Sequence, residues 1–73
     1  TSIYPNPVKD VLNITSKVSG EFSYRIFNTA GQIVIKGNSA DKKVNVEKLS
    51  VGNYLIELTD KDGIKITNKF IKK

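Results

Sequence analysis

The sequence predicts an all-β fold, and two of its features carry that prediction. Short apolar stretches recur between turn signals along all 73 residues, and none continues with the period of about 3.6 residues that a helix requires. Within these stretches apolar and polar residues alternate, as they do in strands that have one face buried. About seven such strands at this spacing are typical of an immunoglobulin-like or fibronectin-like antiparallel β-sandwich.

The first fifteen residues are predicted to form two short strands. Ile3-Tyr4 forms a brief edge strand, which cannot continue because Pro5 and Pro7 have no backbone N–H to donate. Residues 10–15 alternate as a second strand that places Leu12 and Ile14 on one face.

Two hairpins follow, and each turn ends in glycine. The first turn is Asn28-Thr29-Ala30-Gly31, between strands at 22–27 and 32–37, and the second is Asp60-Lys61-Asp62-Gly63, between strands at 54–59 and 64–71. Asn28 can accept hydrogen bonds from its own backbone and Gly31 can adopt positive φ, as a type I turn with a G1 bulge requires. A further short strand, Val44-Asn45-Val46, lies between the hairpins.

Strand parity predicts the core. The residues expected to face inward are Val8, Leu12, Ile14, Tyr24, Ile26, Val34, Val44, Val46, Leu49, Tyr54, Ile56, Leu58, Ile66 and Phe70. Residues with the opposite parity include Phe27, Ile33, Ile35 and Leu55, so some apolar surface is expected to stay exposed. Such a surface could serve a partner, although scattered exposed apolar residues are ordinary in proteins.

The composition excludes several kinds of chemistry. Because the chain has no cysteine and no histidine, disulfides, cysteine–histidine metal sites and serine–histidine triads are impossible. Asp60 and Asp62 beside Gly63 weakly resemble a calcium loop, but the remaining ligands are missing, so a turn-stabilising role is favoured. We therefore expect no catalytic activity, no metal and no cofactor.

The net charge of +5 requires a nucleic-acid partner to be considered. All but one of the 12 cationic side chains are lysines spread along the chain, which is typical of a soluble surface. Tyr24 and Phe27 have opposite parity, so they form no common stacking platform with Arg25, and nucleic-acid binding is not favoured. No apolar run is long enough to span a membrane.

The C-terminal residues combine a strand with three lysines, in the order Lys69-Phe70-Ile71-Lys72-Lys73. They are predicted to leave a flexible cationic tip beside a sheet edge, which would offer charge and unpaired backbone to a receptor. The alternative, favoured on physical grounds alone, is that these lysines only protect an edge strand from unwanted pairing.

Motifs in a fixed order along the chain resemble those of a known family. They are Tyr4-Pro5-Asn6-Pro7-Val8 followed by residues 10–14, then residues 26–34, then Leu49-Ser50-Val51-Gly52-Asn53-Tyr54-Leu55, and finally residues 69–73. Together they closely resemble the type A C-terminal sorting domain of the type IX (Por) secretion system of Bacteroidota. One departure is that Ser50-Val51 stand where proline or alanine often precedes the glycine.

The resemblance implies that residues 1–73 form one secretion-signal domain of a larger exported protein, with the passenger upstream in the same chain. The type IX translocon and its shuttle components would recognise the domain in the periplasm, and a surface sortase-like cysteine peptidase would usually remove it. The passenger would then reach the cell surface or the extracellular space. By position, the recognition residues would be Lys69, Phe70, Ile71, Lys72 and Lys73, and the fold-supporting residues Pro5, Asn6, Pro7, Gly31, Gly52, Tyr54 and Gly63.

Two other classes of function stay open at this point. One is a carbohydrate-binding or adhesive immunoglobulin-like module of an extracellular enzyme, which would usually expose an aromatic platform. This chain has no tryptophan, and two of its 3 tyrosines have core parity. The other is a passive spacer. The passenger, the cleavage position and the oligomeric state do not follow from the sequence.

Overall fold

Seven strands make up the fold in the computed structural model, which describes residues 2–16 and 20–73. They are β1 (Ser2–Tyr4), β2 (Val11–Thr15), β3 (Phe22–Phe27), β4 (Ile33–Ser39), β5 (Lys43–Asn45), β6 (Gly52–Thr59) and β7 (Lys65–Lys72). The predicted all-β class and strand count are confirmed. In the described part of the chain there is no helix that could cross a membrane.

The strands form two antiparallel sheets that pack face to face. The smaller sheet has the order β1-β2-β5 and the larger has the order β4-β3-β6-β7. The segment after β1 crosses to the larger sheet, where Val8 forms a parallel bridge with Lys72 at the end of β7. This arrangement confirms an immunoglobulin-like sandwich, and it places the two ends of the chain side by side.

The first hairpin turn has the predicted geometry. Asn28 Oδ1 accepts hydrogen bonds from the N–H groups of Ala30 at 2.9 Å and Gln32 at 3.0 Å. Gly31 has a φ of 82°, which an L residue adopts only with strain. The turn is therefore closed by hydrogen bonds to the side chain of its own first residue, Asn28.

The second hairpin turn repeats the first. Asp60 Oδ1 accepts from the N–H groups of Asp62 at 2.9 Å and Ile64 at 3.0 Å, and Gly63 has a φ of 83°. The carboxylate of Asp60 is thus occupied by the turn, as predicted. Over residues 2–16 and 20–73 no group of three acidic side chains is placed to hold a metal ion.

The core lies between the sheets and agrees closely with the predicted one. Its buried apolar side chains in the described residues are Val8, Leu12, Ile14, Phe22, Ile26, Val44, Val46, Ile56, Leu58 and Phe70. All of these except Phe22 belong to the predicted set. Partly buried Tyr24, Leu49 and Tyr54 pack against them, and Ile66 is half-buried.

The prediction for β4 is wrong at Val34 and Ile35 because the strand contains a β-bulge. Ile26 pairs with Ile35 and Phe27 pairs with Ile33, so Val34 is an extra residue that reverses the parity of the strand. Val34 is 40% exposed, whereas Ile35 packs against the core. Simple alternation along the sequence does not reveal such an insertion, because the residues on both sides of it are apolar.

Replacing Gly63 with alanine should lower the free energy of unfolding by about 1 kcal/mol. An added Cβ meets no atom within 4 Å, so the loss comes from the left-handed backbone alone. Urea denaturation measures the change, and Asp62→Ala in the same turn is the matched control because that side chain is exposed. Equal stability of the two variants would contradict the assigned turn geometry.

Candidate recognition surface at the C-terminal strand

The C-terminal residues belong to the four-stranded sheet. β7 pairs with β6 along its whole length, from Lys65 opposite Thr59 to Lys72 opposite Gly52. The prediction of a flexible tip at residues 69–73 is therefore wrong. The lysines lie on a paired strand, so each side chain has a direction fixed by the sheet.

The proline-rich segment near the N-terminus covers the outer edge of this strand. Asn6 Oδ1 accepts the N–H of Ile71 at 2.9 Å, and Asn6 Nδ2 donates to the carbonyl oxygen of Lys69 at 3.5 Å. The N–H of Val8 donates to Ile71 O, and Val8 O accepts the N–H of Lys73, each at 2.8 Å. We call residues 6–8 the clip, because they occupy the backbone groups that a neighbouring strand would otherwise use.

The clip is anchored in the core. The side chain of Val8 is fully buried between the sheets, and Pro5 and Pro7 flank Asn6 with both of their preceding peptide bonds in the cis form. With its two hydrogen bonds to β7, the Asn6 side-chain amide takes the place of one peptide group of a neighbouring strand. The fold-supporting role of Pro5, Asn6 and Pro7 stays a prediction.

The five predicted recognition residues divide between the two faces of the sheet. Phe70 is 1% exposed and Lys72 is 6% exposed, and the Lys72 ammonium donates to the Lys73 carbonyl oxygen at 3.1 Å. Lys69, Ile71 and Lys73 are exposed. A partner that binds the folded domain can therefore contact these three side chains, but not those of Phe70 and Lys72.

The segment Gly52-Asn53-Tyr54 at the start of β6 supports the end of β7 from the adjacent strand. The Tyr54 ring stacks on Phe70 with a centroid separation of 5.6 Å, and its hydroxyl donates to Ser50 O at 2.8 Å. Gly52 lies opposite Lys72 with a φ of 155°. The hydroxyl contact resembles the tyrosine corner of immunoglobulin-like domains, which fixes the chain where it enters a strand.

An apolar row lies beside the exposed tail residues on the outer face of the larger sheet. Phe27 pairs with Ile33 on one side and with Leu55 on the other, and Leu55 pairs with Lys69. Ile71 is the diagonal neighbour of Leu55 and is 46% exposed. Phe27, Leu55, Lys69 and Ile71 line a groove at this end of the sheet.

A single ion pair crosses the same face next to the apolar row. Two guanidinium N–H groups of Arg25 donate to Glu57 Oε1, the one from Nε at 3.0 Å, and the guanidinium lies 5.6 Å from the centroid of the Phe27 ring. The hydrogen bonds from Arg25 lower the pKa of Glu57. Desolvation opposes this effect, and the positive charges of Arg25 and Lys65 lower the pKa further.

The sequence did not reveal the contact between Asn6 and the tail. The hydrogen bond joins residues 65 positions apart, so no local pattern could indicate it. The available signal was an asparagine held between two prolines with no local turn to serve. The apolar outer row, in contrast, was visible from the parity of Phe27, Ile33 and Leu55.

Comparison with known proteins identifies the class of this sandwich. A family model described as the secretion system C-terminal sorting domain matches residues 2–73. The chain is 32% identical over 69 residues to beta-agarase D of Zobellia galactanivorans, an alignment that covers 94% of this chain. It is 28% identical over 74 residues to an endo-acting ulvan lyase of Formosa agariphila, covering 97% of this chain.

The family match extends over almost the whole chain and includes the clip and the tail. The chain belongs to the C-terminal sorting domains of the type IX secretion system. Such a domain is a signal for export to the cell surface or the extracellular space. The chain spans only 14% of the length of each of the two relatives.

Replacing Asn6 with alanine should lower the free energy of unfolding by about 1 kcal/mol, because the Ile71 N–H and the Lys69 carbonyl lose their protein partner. Chemical denaturation followed by tyrosine fluorescence or circular dichroism measures the loss. Asn38→Ala is the matched control, since Asn38 is exposed on β4. Identical midpoints for the two variants would show that the clip does not hold the tail.

Replacing Arg25 with methionine should raise the pKa of Glu57 toward its ordinary value, as measured by NMR titration of the carboxyl carbon. The pKa of Glu57 is lowered in the folded state, so the stabilising effect of the pair is present at neutral pH and is lost as the pH falls through that pKa. The stability difference between wild type and Arg25→Met should therefore shrink in acid.

The matched control for this titration is Lys36→Met. Lys36 pairs with Arg25 from β4, whereas Glu57 pairs with Arg25 from β6. Removing the charge of Lys36 should therefore leave the pKa of Glu57 nearly unchanged. A Glu57 pKa that is the same in Arg25→Met as in wild type would contradict the assigned cause.

Proposed function

We propose that the type IX translocon recognises this domain in its folded form, and that this recognition carries an upstream passenger across the outer membrane. The observation that carries the proposal is the family match over residues 2–73, which includes the clip and the tail that it holds in place. Because Lys69, Ile71 and Lys73 project from a fixed strand, their side chains present one defined arrangement of charge and apolar surface.

In this proposal the translocon contacts the side chains of the tail and does not add a strand to its edge. The outward backbone groups from the Lys69 carbonyl to the Lys73 N–H are already bonded to Asn6 and Val8. Farther back on β7, by alternation, the outward groups of Thr67 lie beyond the clip. The hypothesis of a docking edge is thus restricted to that part of β7, and the tail contributes contacts through its side chains.

The passenger and the later steps complete the proposal. The chain spans 14% of each relative, which supports a passenger upstream in the same polypeptide, and both relatives have the names of enzymes. Shuttle components would receive the domain in the periplasm, and a sortase-like cysteine peptidase would remove it at the cell surface. The domain itself would take part as a substrate and not as a catalyst.

No structural observation favours the carbohydrate-binding alternative. Tyr24 and Tyr54 pack against the core, and the Phe27 ring has the Arg25 guanidinium beside it. Tyr4, which is 54% exposed on β1, is not accompanied by another aromatic side chain of that strand. A sugar ring would therefore find no paired aromatic platform on the described strands.

The export test uses a reporter with a signal peptide at its N-terminus and this domain at its C-terminus, in a bacterium that has the type IX system. Deleting residues 69–73 is unsuitable, because the deletion also removes buried Phe70 and the partners of the clip. The informative variant is Ile56→Asp, which places a charge in the core and unfolds the sandwich. We expect it to lose export.

Val51→Asp is the matched control, because Val51 is 78% exposed and takes the same charge without loss of fold. Its reporter should reach the medium or the cell surface like wild type, and neither should do so in a strain without the translocon. Export of the Ile56→Asp reporter at the wild-type level would contradict recognition of the folded domain. Mass spectrometry of the exported reporter shows whether the domain has been removed.

A further inference from the structure

We propose that the outer face of the larger sheet, centred on Phe27, Leu55 and Ile71, docks an acidic protein surface with an exposed apolar side chain at its centre. The inference rests on the proposed function and names the chemistry of the partner that would recognise this domain. We call these three residues and Lys69 the outer patch.

The apolar residues of this face are gathered at one end of it. The row across the sheet at the tail end contains Ile33, Phe27 and Leu55 and ends at Lys69. The row at the opposite end is polar throughout, consisting of Asn38, Ser23, Thr59 and Lys65. Scattered surface apolar residues need no explanation, but a contiguous cluster next to the tail is typical of an interaction site.

The charge of the same face selects the partner. Lys36, Lys65 and Lys69 point outward from it, and the only carboxylate in its four strands, all of which the structure describes, is Glu57. Glu57 is already paired with Arg25. The uncompensated charge around the outer patch is therefore positive, so a complementary partner has acidic side chains around an apolar centre. A second copy of the domain has the same positive charge and is a poor fit.

Two features argue against a membrane or a nucleic acid as the partner. The outer patch lies in a groove, which a flat bilayer would not fill. The Phe27 ring is half-buried and has the Arg25 guanidinium 5.6 Å from its centroid, so it is not free to stack on a base. A protein side chain can enter the groove, while carboxylates reach the lysines at its border.

Both edges of the larger sheet are blocked at this end, which also favours docking on its outer face. The clip covers the edge of β7 beside the outer patch, and the bulge at Val34 distorts the edge of β4 on the opposite side. Both features prevent the addition of a regular strand. The face between these edges is what the sheet leaves accessible next to the tail.

The test measures binding of the purified domain to purified outer-membrane components of the type IX translocon in detergent. Leu55→Ser and Lys69→Glu should each weaken binding about tenfold, since each removes a contact at the centre or border of the interface. Val51→Ser and Lys48→Glu introduce the same two residues at exposed positions outside the four strands of this sheet, and should bind within about twofold of wild type. Circular dichroism and urea denaturation confirm the fold of each variant.

The outcomes separate the inference from the proposed function. If the wild-type domain does not bind, the proposed function and the inference fail together. If wild type binds and both outer-patch variants bind equally well, the inference is overturned while the proposed function stands. A third outcome is that wild type binds phosphatidylglycerol vesicles or single-stranded DNA, with Lys69→Glu abolishing that binding and leaving translocon binding unchanged. This result would assign the face to a different partner and would also overturn the inference.

Discussion

Asn6 and Val8 hold the end of β7 by hydrogen bonds to backbone groups of Lys69, Ile71 and Lys73, and the closure of the sheet edge at the tail depends on this contact. The contact joins the segment that follows β1 to the end of β7. β1 and β7 belong to different sheets, and the bridge between Val8 and Lys72 connects the two. It turns the tail from an open edge into a closed one. The directions of the tail side chains follow from the pairing of β7 with β6, with Phe70 and Lys72 inward and the exposed residues outward.

The fold followed from the sequence to the extent that its determinants are local. Alternation indicated the strands and most of the core, and Asn28 and Asp60 marked two turns that close on their own side chains. The parity of β4 was wrong because the bulge at Val34 adds a residue within an apolar run. The closed tail was missed because it depends on a side chain 65 residues away from its partner, a separation at which sequence patterns carry no information.

The chain contains no cysteine and no histidine. A few of its polar side chains serve turns, the clip and one ion pair, while its apolar residues fill a small core and one end of an outer face. The family to which the chain belongs is a secretion system C-terminal sorting domain. The clip closes the strand edge at the place where the tail lysines and the outer patch meet.

Backbone amide hydrogen exchange, followed by NMR on the isolated domain, tests the central claim most directly. Alternate N–H groups of β7 point away from β6, and those of Ile71 and Lys73 meet the clip whereas that of Thr67 lies beyond it. Closure of the tail predicts slow exchange at Ile71 and Lys73 and fast exchange at Thr67. Equally fast exchange at all three positions would mean that the strand edge is open and that the clip does not close it.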